Sequence, residues 1–88
     1  MTVYRSKPSL IEAVQWTGDN ASEIAAFGVA FRSRPPDWAL EILAGKDGAQ
    51  GYVPVPVGHW IVRNPSDLTD HWPVEPDYFT RKYEEATQ

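Results

Sequence analysis

Short apolar stretches, separated by prolines and glycines, make up the hydrophobic pattern of this chain. Residues 10–16 (LIEAVQW) form one apolar run of strand length, while residues 29–34 (VAFRSR) and 38–43 (WALEIL) alternate between apolar and polar positions. Alternation with a period of two is typical of a strand with one buried face. The pattern therefore predicts three strands, in which Trp16 and Trp38 are in phase with aliphatic neighbours that face the core.

Glycine and proline mark the turns that follow. The segment at residues 45–51 (GKDGAQG) contains an Asp-Gly pair, which favours a β-hairpin, so residues 52–57 are predicted to return antiparallel to residues 38–43. Pro54 and Pro56 cannot donate a hydrogen bond to a neighbouring strand. The return strand is therefore predicted to lie at an edge of the sheet.

The run VPVGHWIVRNP places a glycine directly before another apolar stretch. Because glycine adopts positive φ without a steric penalty, Gly58 is predicted to form a tight turn or a bulge that leads into a strand at residues 60–63. His59 should then tolerate replacement. A turn at residues 64–67 and a short strand at residues 71–74 are predicted next.

Two helices are predicted, one near each end of the chain. Asn20 and the glutamate three residues later have the spacing of an N-terminal capping box, and Gly28 lies where a glycine cap is expected after about two turns. Residues 76–86 are predicted to form a closing helix that begins at a proline. Phe79 and Tyr83, four residues apart, should form its buried face.

These elements predict one α+β domain spanning residues 1–88. Its core would be a small, twisted, mainly antiparallel sheet of about five or six strands, open or curled toward a barrel, with one short helix and a C-terminal helix. Four tryptophans, four tyrosines and three phenylalanines supply apolar area for such a core in a chain of 88 residues.

Composition excludes several classes of function. Without cysteine the chain has no disulfide framework, no thiolate zinc site and no thiol nucleophile. Twelve acidic and eight basic residues give a net charge of −4, which opposes binding to phosphate backbones. No apolar run approaches the ~20 residues that cross a bilayer, and no signal-peptide segment is present. We therefore expect a soluble cytoplasmic protein that binds neither nucleic acid nor membrane.

Few residues could carry chemistry. His59 and His71 lie near aspartates but lack the spacing of a zinc site, and Ser66 lacks the glycine-flanked turn that presents a catalytic serine. We interpret these side chains as solvated turn residues, and we expect no metal, no cofactor and no enzymatic activity.

Glu12 and several arginines form the candidate charged site. Glu12 lies inside an apolar run, where a carboxylate must point outward or pair with a cation such as Arg5, Arg32 or Arg34. Arg32 and Arg34 fall on the polar face of their strand, with Arg63 as a candidate neighbour. Such a stripe could bind the phosphate of a small ligand, although a solvated strand face explains it more simply.

Trp60 and Trp72 flank proline-containing turns and are predicted to be the exposed tryptophans. Exposed aromatic side chains often anchor protein interfaces. Together with Tyr52 they predict a protein-binding surface, and a twofold homodimer is the simplest assembly that would use it.

Motifs in both outer thirds of the chain resemble a known arrangement. The start contains Tyr-Arg-x-Lys-Pro and then Glu-Ala-x-Gln-Trp, and the end contains Pro-Asp-x-Phe-x-x-x-Tyr-Glu. In this order the motifs resemble a family of small bacteriophage and prophage proteins. The chain departs from the family pattern at Val57, His59 and Trp60, where the family has a Pro-Gly-Asp-Tyr-Ile turn, and at Glu75, which replaces a lysine. The resemblance implies a phage origin and a host-cytoplasmic location, and it brings no activity.

Three functions remain open from the sequence. The leading hypothesis is a non-enzymatic phage accessory protein that binds a host or phage protein through Trp60 and Trp72. The second is a protein that sequesters a small phosphorylated molecule, with Arg32 and Arg34 on the phosphate and Trp60 stacked on the ligand. The third is a small hydrolase that uses Glu12.

Overall fold

The computed structural model describes residues 2–6 and 9–85, which form eight strands and two α-helices. The elements are β1 (Thr2–Ser6), β2 (Ser9–Gln15), α1 (Ala21–Phe27), β3 (Phe31–Arg34), β4 (Ala39–Ala44), a 3-10 turn (Lys46–Gly48), β5 (Gly51–Pro54), β6 (Trp60–Asn64), β7 (Asp67–Val74), α2 (Pro76–Lys82) and β8 (Glu84–Glu85). No helix in these described ranges is long and apolar enough to cross a membrane.

The strands form two antiparallel sheets instead of the single sheet predicted from the sequence. The larger sheet has five strands in the order β7-β6-β2-β1-β8, and the smaller has three in the order β3-β4-β5. Both sheets are open, so the alternative of a barrel-like curl is wrong, while the α+β class and the mainly antiparallel pairing are confirmed.

The reason for two sheets lies in the central strands β2 and β6, which are apolar on both faces. Val14 and Ile61 face one side of the larger sheet, and Ala13 and Val62 face the other. One sheet with two short helices would leave apolar area in water on one of these faces. The small sheet and α1 cover the first face, and α2 covers the second.

Each face has its own cluster of buried side chains. The first cluster joins α1 and the small sheet to β2 and β6; it contains Val14, Ile24, Phe27, Val29, Leu40, Ile42, Val55 and Ile61. The second lies under α2 and contains Ile11, Ala13, Val62, Val74, Phe79 and Tyr83. Phe79 and Tyr83 are thus both buried as predicted, but the predicted extent of the closing helix is wrong: it ends at Lys82, and Glu84–Glu85 form β8.

Helix α1 follows the predicted boundaries with a different N-terminal hydrogen-bond pattern. Gly28 has φ 92° and its N–H donates to the carbonyl of Ala25, as a glycine cap does. Asn20 occupies the N-cap position but makes no capping bond to the helix backbone. Its amide instead donates to the carbonyl of Gln15 at 2.7 Å and to the carboxylate of Glu23 at 2.6 Å. Asn20 therefore ties the helix start back to β2.

Trp38 is the residue whose predicted burial differs most clearly from the structure. It was predicted to face inward with Leu40 and Ile42, yet its side chain is 63% exposed. The strand begins one residue later, at Ala39, and Trp38 belongs to the preceding turn, where its φ is 56°. A residue in a turn does not continue the alternation of the strand. Trp16, by contrast, packs partly buried against the first cluster as predicted.

Gly58 has φ 94°, which confirms the predicted left-handed conformation. Its N–H donates to the carbonyl of Trp16 at 2.7 Å, and the N–H of His59 donates to the carbonyl of Pro56 at 3.0 Å. This turn links the β5 segment to β6. A Cβ added at Gly58 would come no closer than 3.9 Å to Pro76. The backbone angle φ, and not the space for a side chain, therefore limits which residues fit at this position.

Replacing Gly58 with valine is expected to lower the free energy of unfolding by about 1 kcal/mol or more, because a β-branched residue resists positive φ. Gly58→Asn should cost less, since asparagine tolerates this region and space is available. His59→Ala serves as the neighbouring control and should change stability by less than about 0.5 kcal/mol. Urea unfolding monitored by tryptophan fluorescence measures all three; equal costs for valine and asparagine would contradict the explanation.

Candidate functional site

Glu12 forms a salt bridge with Arg63 across β2 and β6. Nε and Nη2 of Arg63 each lie 2.8 Å from Oε1 of Glu12, and the two side chains are 17% and 11% exposed. Arg5, Arg32 and Arg34 were the predicted partners; the side chains of Arg5 and Arg34 lie outside the described part of the structure, and the observed partner, Arg63, was not among the three. Glu12 and Arg63 are directly opposite in the strand register, whereas Arg32 belongs to the other sheet.

Arg63 also binds the end of α1. Its Nη1 donates to the carbonyl oxygen of Phe27, and its Cζ lies 4.3 Å from the centre of the Phe27 ring. The last carbonyls of a helix have no partner inside the helix, so this guanidinium satisfies one of them and places a positive charge at the helix C-terminus. Arg63 therefore connects β2, β6 and α1.

His71 lies beside this arginine and is 5% exposed, so the prediction of a solvated turn residue is wrong. It sits in β7 directly opposite Arg63, and its ring meets the Phe27 ring edge-on at a centroid distance of 5.9 Å. Burial, and then the charge of Arg63, hold the pKa of His71 below its ordinary value, against smaller opposing effects that include a hydrogen bond with the backbone of Thr69. Within the described part of the chain, Nε2 of His71 has no hydrogen-bond partner.

The lowered pKa of His71 predicts a loss of stability on mild acidification. Below the ordinary value of 6.5 the exposed imidazole of the unfolded chain takes up a proton that the native ring resists, so the unfolded state gains stability as the pH falls from 7 toward 5. Denaturation midpoints at several pH values should show this slope, and His71→Gln should flatten it. An unchanged slope in the variant would show that a group other than His71 causes the effect.

The hydrogen bond from Thr69 lowers the pKa of Asp67. Protonation of this carboxylate therefore affects stability in a separate pH range, below about pH 4.

The structure does not bring Arg63, the candidate neighbour, to the predicted stripe of Arg32 and Arg34 in β3. Nε of Arg32 donates to Oε1 of Glu41 at 2.8 Å, and its guanidinium lies 4.0 Å from the centre of the Tyr52 ring. The backbone of Arg34 continues β3, but its side chain lies outside the described part of the structure. Arg63 is buried in the other sheet against Phe27. The structure therefore does not place Arg63 beside Arg32.

Trp60 and Trp72 pack partly buried against the α2 cluster. The Trp60 ring is stacked on Phe79 with a centroid distance of 4.0 Å and an interplanar angle of 2°. Much of the face predicted to anchor a partner is thus used inside the fold. Tyr52, the third member of that predicted surface, is exposed.

Open cavities in the described part of the chain lie near these residues. One of about 220 Å³ lies over Arg63 and Phe27, one of about 290 Å³ is lined in part by His71, and one of about 400 Å³ lies by the β3–β4 turn. Among the described residues no group of three or more His, Asp or Glu side chains could hold a metal ion.

Two features of the structure were not predicted from the sequence: the position of Trp38 in a turn, and the pairing of Arg63 with His71. Only the first had a signal in the sequence. The Pro-Pro-Asp turn at residues 35–37 marks a break before Trp38, which could have placed that tryptophan in the turn. The pairing of Arg63 with His71 had no such signal. A hairpin closed by residues 64–67 would pair position 63 with position 68, but an irregularity between Arg63 and Asn64 shifts the register to His71.

Comparison with models of protein families, with curated proteins and with solved structures finds no match for this chain.

Proposed function

We propose that this chain is a non-enzymatic phage accessory protein that binds a host or phage protein in the host cytoplasm. The partner would dock on the outer face of the small sheet, next to the β3–β4 turn. The observation that carries the binding proposal is the 63% exposure of Trp38 in that turn. The phage origin and the location rest on the resemblance of the terminal motifs.

The outer face of the small sheet is formed by the β4 residues whose side chains point away from the core, together with their neighbours on β3 and β5. Leu40 and Ile42 are buried, so Glu41 points away from the core. The register places Arg32 and Pro54 on either side of Glu41. We call this set, together with Tyr52 and Ala39, the outer face.

The outer face has the features of a small interface. Trp38, in the turn that borders this face, supplies a large exposed apolar side chain, and a depression of about 400 Å³ lined by Pro35, Asp37, Ala39 and Glu41 offers space for a partner's side chain. Arg32 is held by Glu41 and stacked on Tyr52, so these side chains are already ordered before binding. Ordered anchors lose less conformational entropy when a partner arrives. Tryptophan, tyrosine and arginine are also the residue types that dominate interface energetics.

A homodimer is the simplest form of this proposal. Of the three aromatic residues predicted to form its interface, Tyr52 is the exposed one and lies on the outer face, whereas Trp60 and Trp72 pack on the α2 cluster. We therefore place a self-association surface at Tyr52 and Trp38. A second copy of the chain and a different protein would compete for the same face.

The test measures which protein binds the outer face, using the tagged chain in lysate of infected cells and sedimentation of the purified chain. One protein, or a second copy, should bind with a Kd that Trp38→Ala weakens about 30-fold, corresponding to roughly 2 kcal/mol. Tyr78→Ala, an exposed aromatic change on α2, is the matched control and should bind as the wild type does. A monomer that retains no protein, or equal binding by Trp38→Ala, would contradict the proposal.

The two other hypotheses lack comparable support. A phosphate site would need Arg32 and Trp60 on one surface, yet Arg32 lies in the small sheet and Trp60 packs under α2 on the far face of the large sheet. A hydrolase would need a carboxylate available to substrate, and Glu12 is half-buried in its salt bridge with Arg63.

A further inference from the structure

Strand β3 forms one edge of the small sheet: it has β4 on one side and, within the described part of the chain, no strand on the other. Backbone groups in an antiparallel pair point alternately toward and away from the neighbouring strand. The N–H of Leu43 donates to the carbonyl of Ala30 at 2.9 Å, which fixes the phase of this alternation. Every second residue after Ala30 therefore bonds to β4, and the N–H and C=O groups of Phe31 and Ser33 point away from it.

The opposite edge of the small sheet is poorly suited to another strand. The N–H of Val55 donates to the carbonyl of Leu40 at 2.9 Å, so by the same alternation Tyr52 and Pro54 carry the outward-facing groups of β5. Proline has no N–H to donate, and a proline on an edge strand hinders further pairing. On β3, by contrast, both outward-facing residues can donate and accept, and Ser33 is exposed. An added strand would therefore pair with β3.

The outward-facing groups of β3 are complementary to those of a second copy of the chain. When two β3 strands run antiparallel about a twofold axis at Arg32, Phe31 of each copy lies opposite Ser33 of the other. Each of these two pairs exchanges both of its N–H to C=O hydrogen bonds. One edge thus supplies every donor and acceptor that the same edge of a second copy needs.

Arg32 does not prevent this pairing, although like charges directly opposite each other usually destabilise a sheet. Its Nε lies 2.8 Å from Oε1 of Glu41 on β4, and its guanidinium lies 4.0 Å from the centre of the Tyr52 ring on β5. The side chain therefore points across the sheet, away from the open edge, and Glu41 balances its charge. Because Arg32 already has this partner, it does not call for an acidic strand from another protein, and a second copy is the better occupant.

We infer that two copies of the chain associate by pairing their β3 strands antiparallel, which joins the two small sheets into one continuous sheet. The inference rests on the proposed self-association at the outer face and specifies how the copies meet. Antiparallel pairing places the β3–β4 turn of each copy beside the start of β3 in the other. The exposed Trp38 in that turn then lies at the border of the interface.

Ser33→Pro removes an outward-facing N–H and leaves the bonds between β3 and β4 in place, because the N–H of Ser33 does not point toward β4. The dimer loses one donor from each copy, and at about fivefold per hydrogen bond its Kd should rise about 25-fold or more. Ser33→Thr keeps the N–H and is the matched control, which should dimerise as the wild type does. Sedimentation of the purified chains at several concentrations measures the Kd, and circular dichroism checks that each variant is folded.

Hydrogen exchange in the wild-type chain tests the same pairing without a substitution, and it decides the question if Ser33→Pro does not fold. The amides of Phe31 and Ser33 should exchange more slowly as the chain concentration rises, since the dimer covers them. The outward-facing amide of Tyr52, at the opposite edge, is the internal control and should not change.

Three results would overturn the inference: a wild-type chain that stays monomeric, a Kd that Ser33→Pro leaves unchanged, or exchange at Phe31 and Ser33 that does not depend on concentration. Trp38→Ala separates this inference from the proposed function. If Trp38→Ala weakens association and Ser33→Pro does not, the outer face binds through side chains and the strand pairing is wrong. If a different protein binds the outer face of a monomeric chain, the proposed function stands and the β3 pairing fails.

Discussion

Replacing Arg63 with leucine is expected to lower the free energy of unfolding by about 3–5 kcal/mol, as breaking a buried ion pair from one side does. The change leaves Glu12 half-buried without its cation and removes the donor to the carbonyl of Phe27. An uncompensated charge in this position cannot recover its lost hydration. Denaturant unfolding followed by circular dichroism measures the effect.

The chain contains its own control for this prediction. The pair formed by Arg32 and Glu41 has the same 2.8 Å separation but is more exposed, at 38% and 25%. Arg32→Leu should therefore cost less than about 1 kcal/mol. The double variant Glu12→Leu with Arg63→Leu should recover part of the stability lost in Arg63→Leu, because no charge remains unpaired. A double variant less stable than Arg63→Leu would show that the pair is not the source of the effect.

Removing the closing helix is expected to unfold the protein. Phe79 and Tyr83 are 3% and 9% exposed, and Phe79 is stacked on Trp60. Phe79→Ala alone should cost about 3–5 kcal/mol, a large part of the ~5–15 kcal/mol that stabilises a small domain. A chain truncated after Pro76 loses both aromatics and the β8 strand that pairs with β1, so it should show no cooperative thermal transition.

Tyr78→Ala is the control for the closing helix, because it distinguishes the contribution of buried aromatic packing from that of helix propensity. Tyr78 lies on the same helix, is 41% exposed, and its hydroxyl accepts a hydrogen bond from Lys82 at 3.0 Å. Its replacement should change stability by about 0.5 kcal/mol or less. If the truncated chain keeps the wild-type melting temperature, or if Tyr78→Ala and Phe79→Ala cost the same, then α2 does not stabilise the domain through the buried aromatics.

Features that depend on neighbouring residues were predictable from the sequence. Gly28 and Gly58 were assigned correctly because a left-handed backbone is a local property that only a few residue types adopt readily. Pro76 begins α2, and β5 lies at an edge of its sheet, for equally local reasons. Phe79 is buried on α2 as helical spacing predicted, and Tyr83 is also buried, although it follows the end of the helix in an extended conformation.

Features that depend on distant residues were missed. The partner of Glu12 is set by the register between β2 and β6, which no local pattern specifies. The division into two sheets arises because both faces of β2 and β6 must be covered, which no local pattern shows. Strand β1 was also not predicted, because its sequence has no strong alternation of apolar and polar residues. The candidate site was the hardest part to predict, because Arg63, His71 and Phe27 come from three elements that meet only in the folded chain.

The pairing of β2 with β6 also bears on how the chain reaches its native state. Glu12 and Arg63 are 51 positions apart, and α1 together with the whole small sheet lies in the intervening segment. The two central strands can meet only after that long segment has been closed into a loop, at an entropic cost that short hairpins do not incur. Local structure within the segment reduces this cost, so the β4–β5 hairpin and α1 should form before the central pair. Such high contact order is associated with folding in roughly milliseconds to seconds, slower than helical domains of this size.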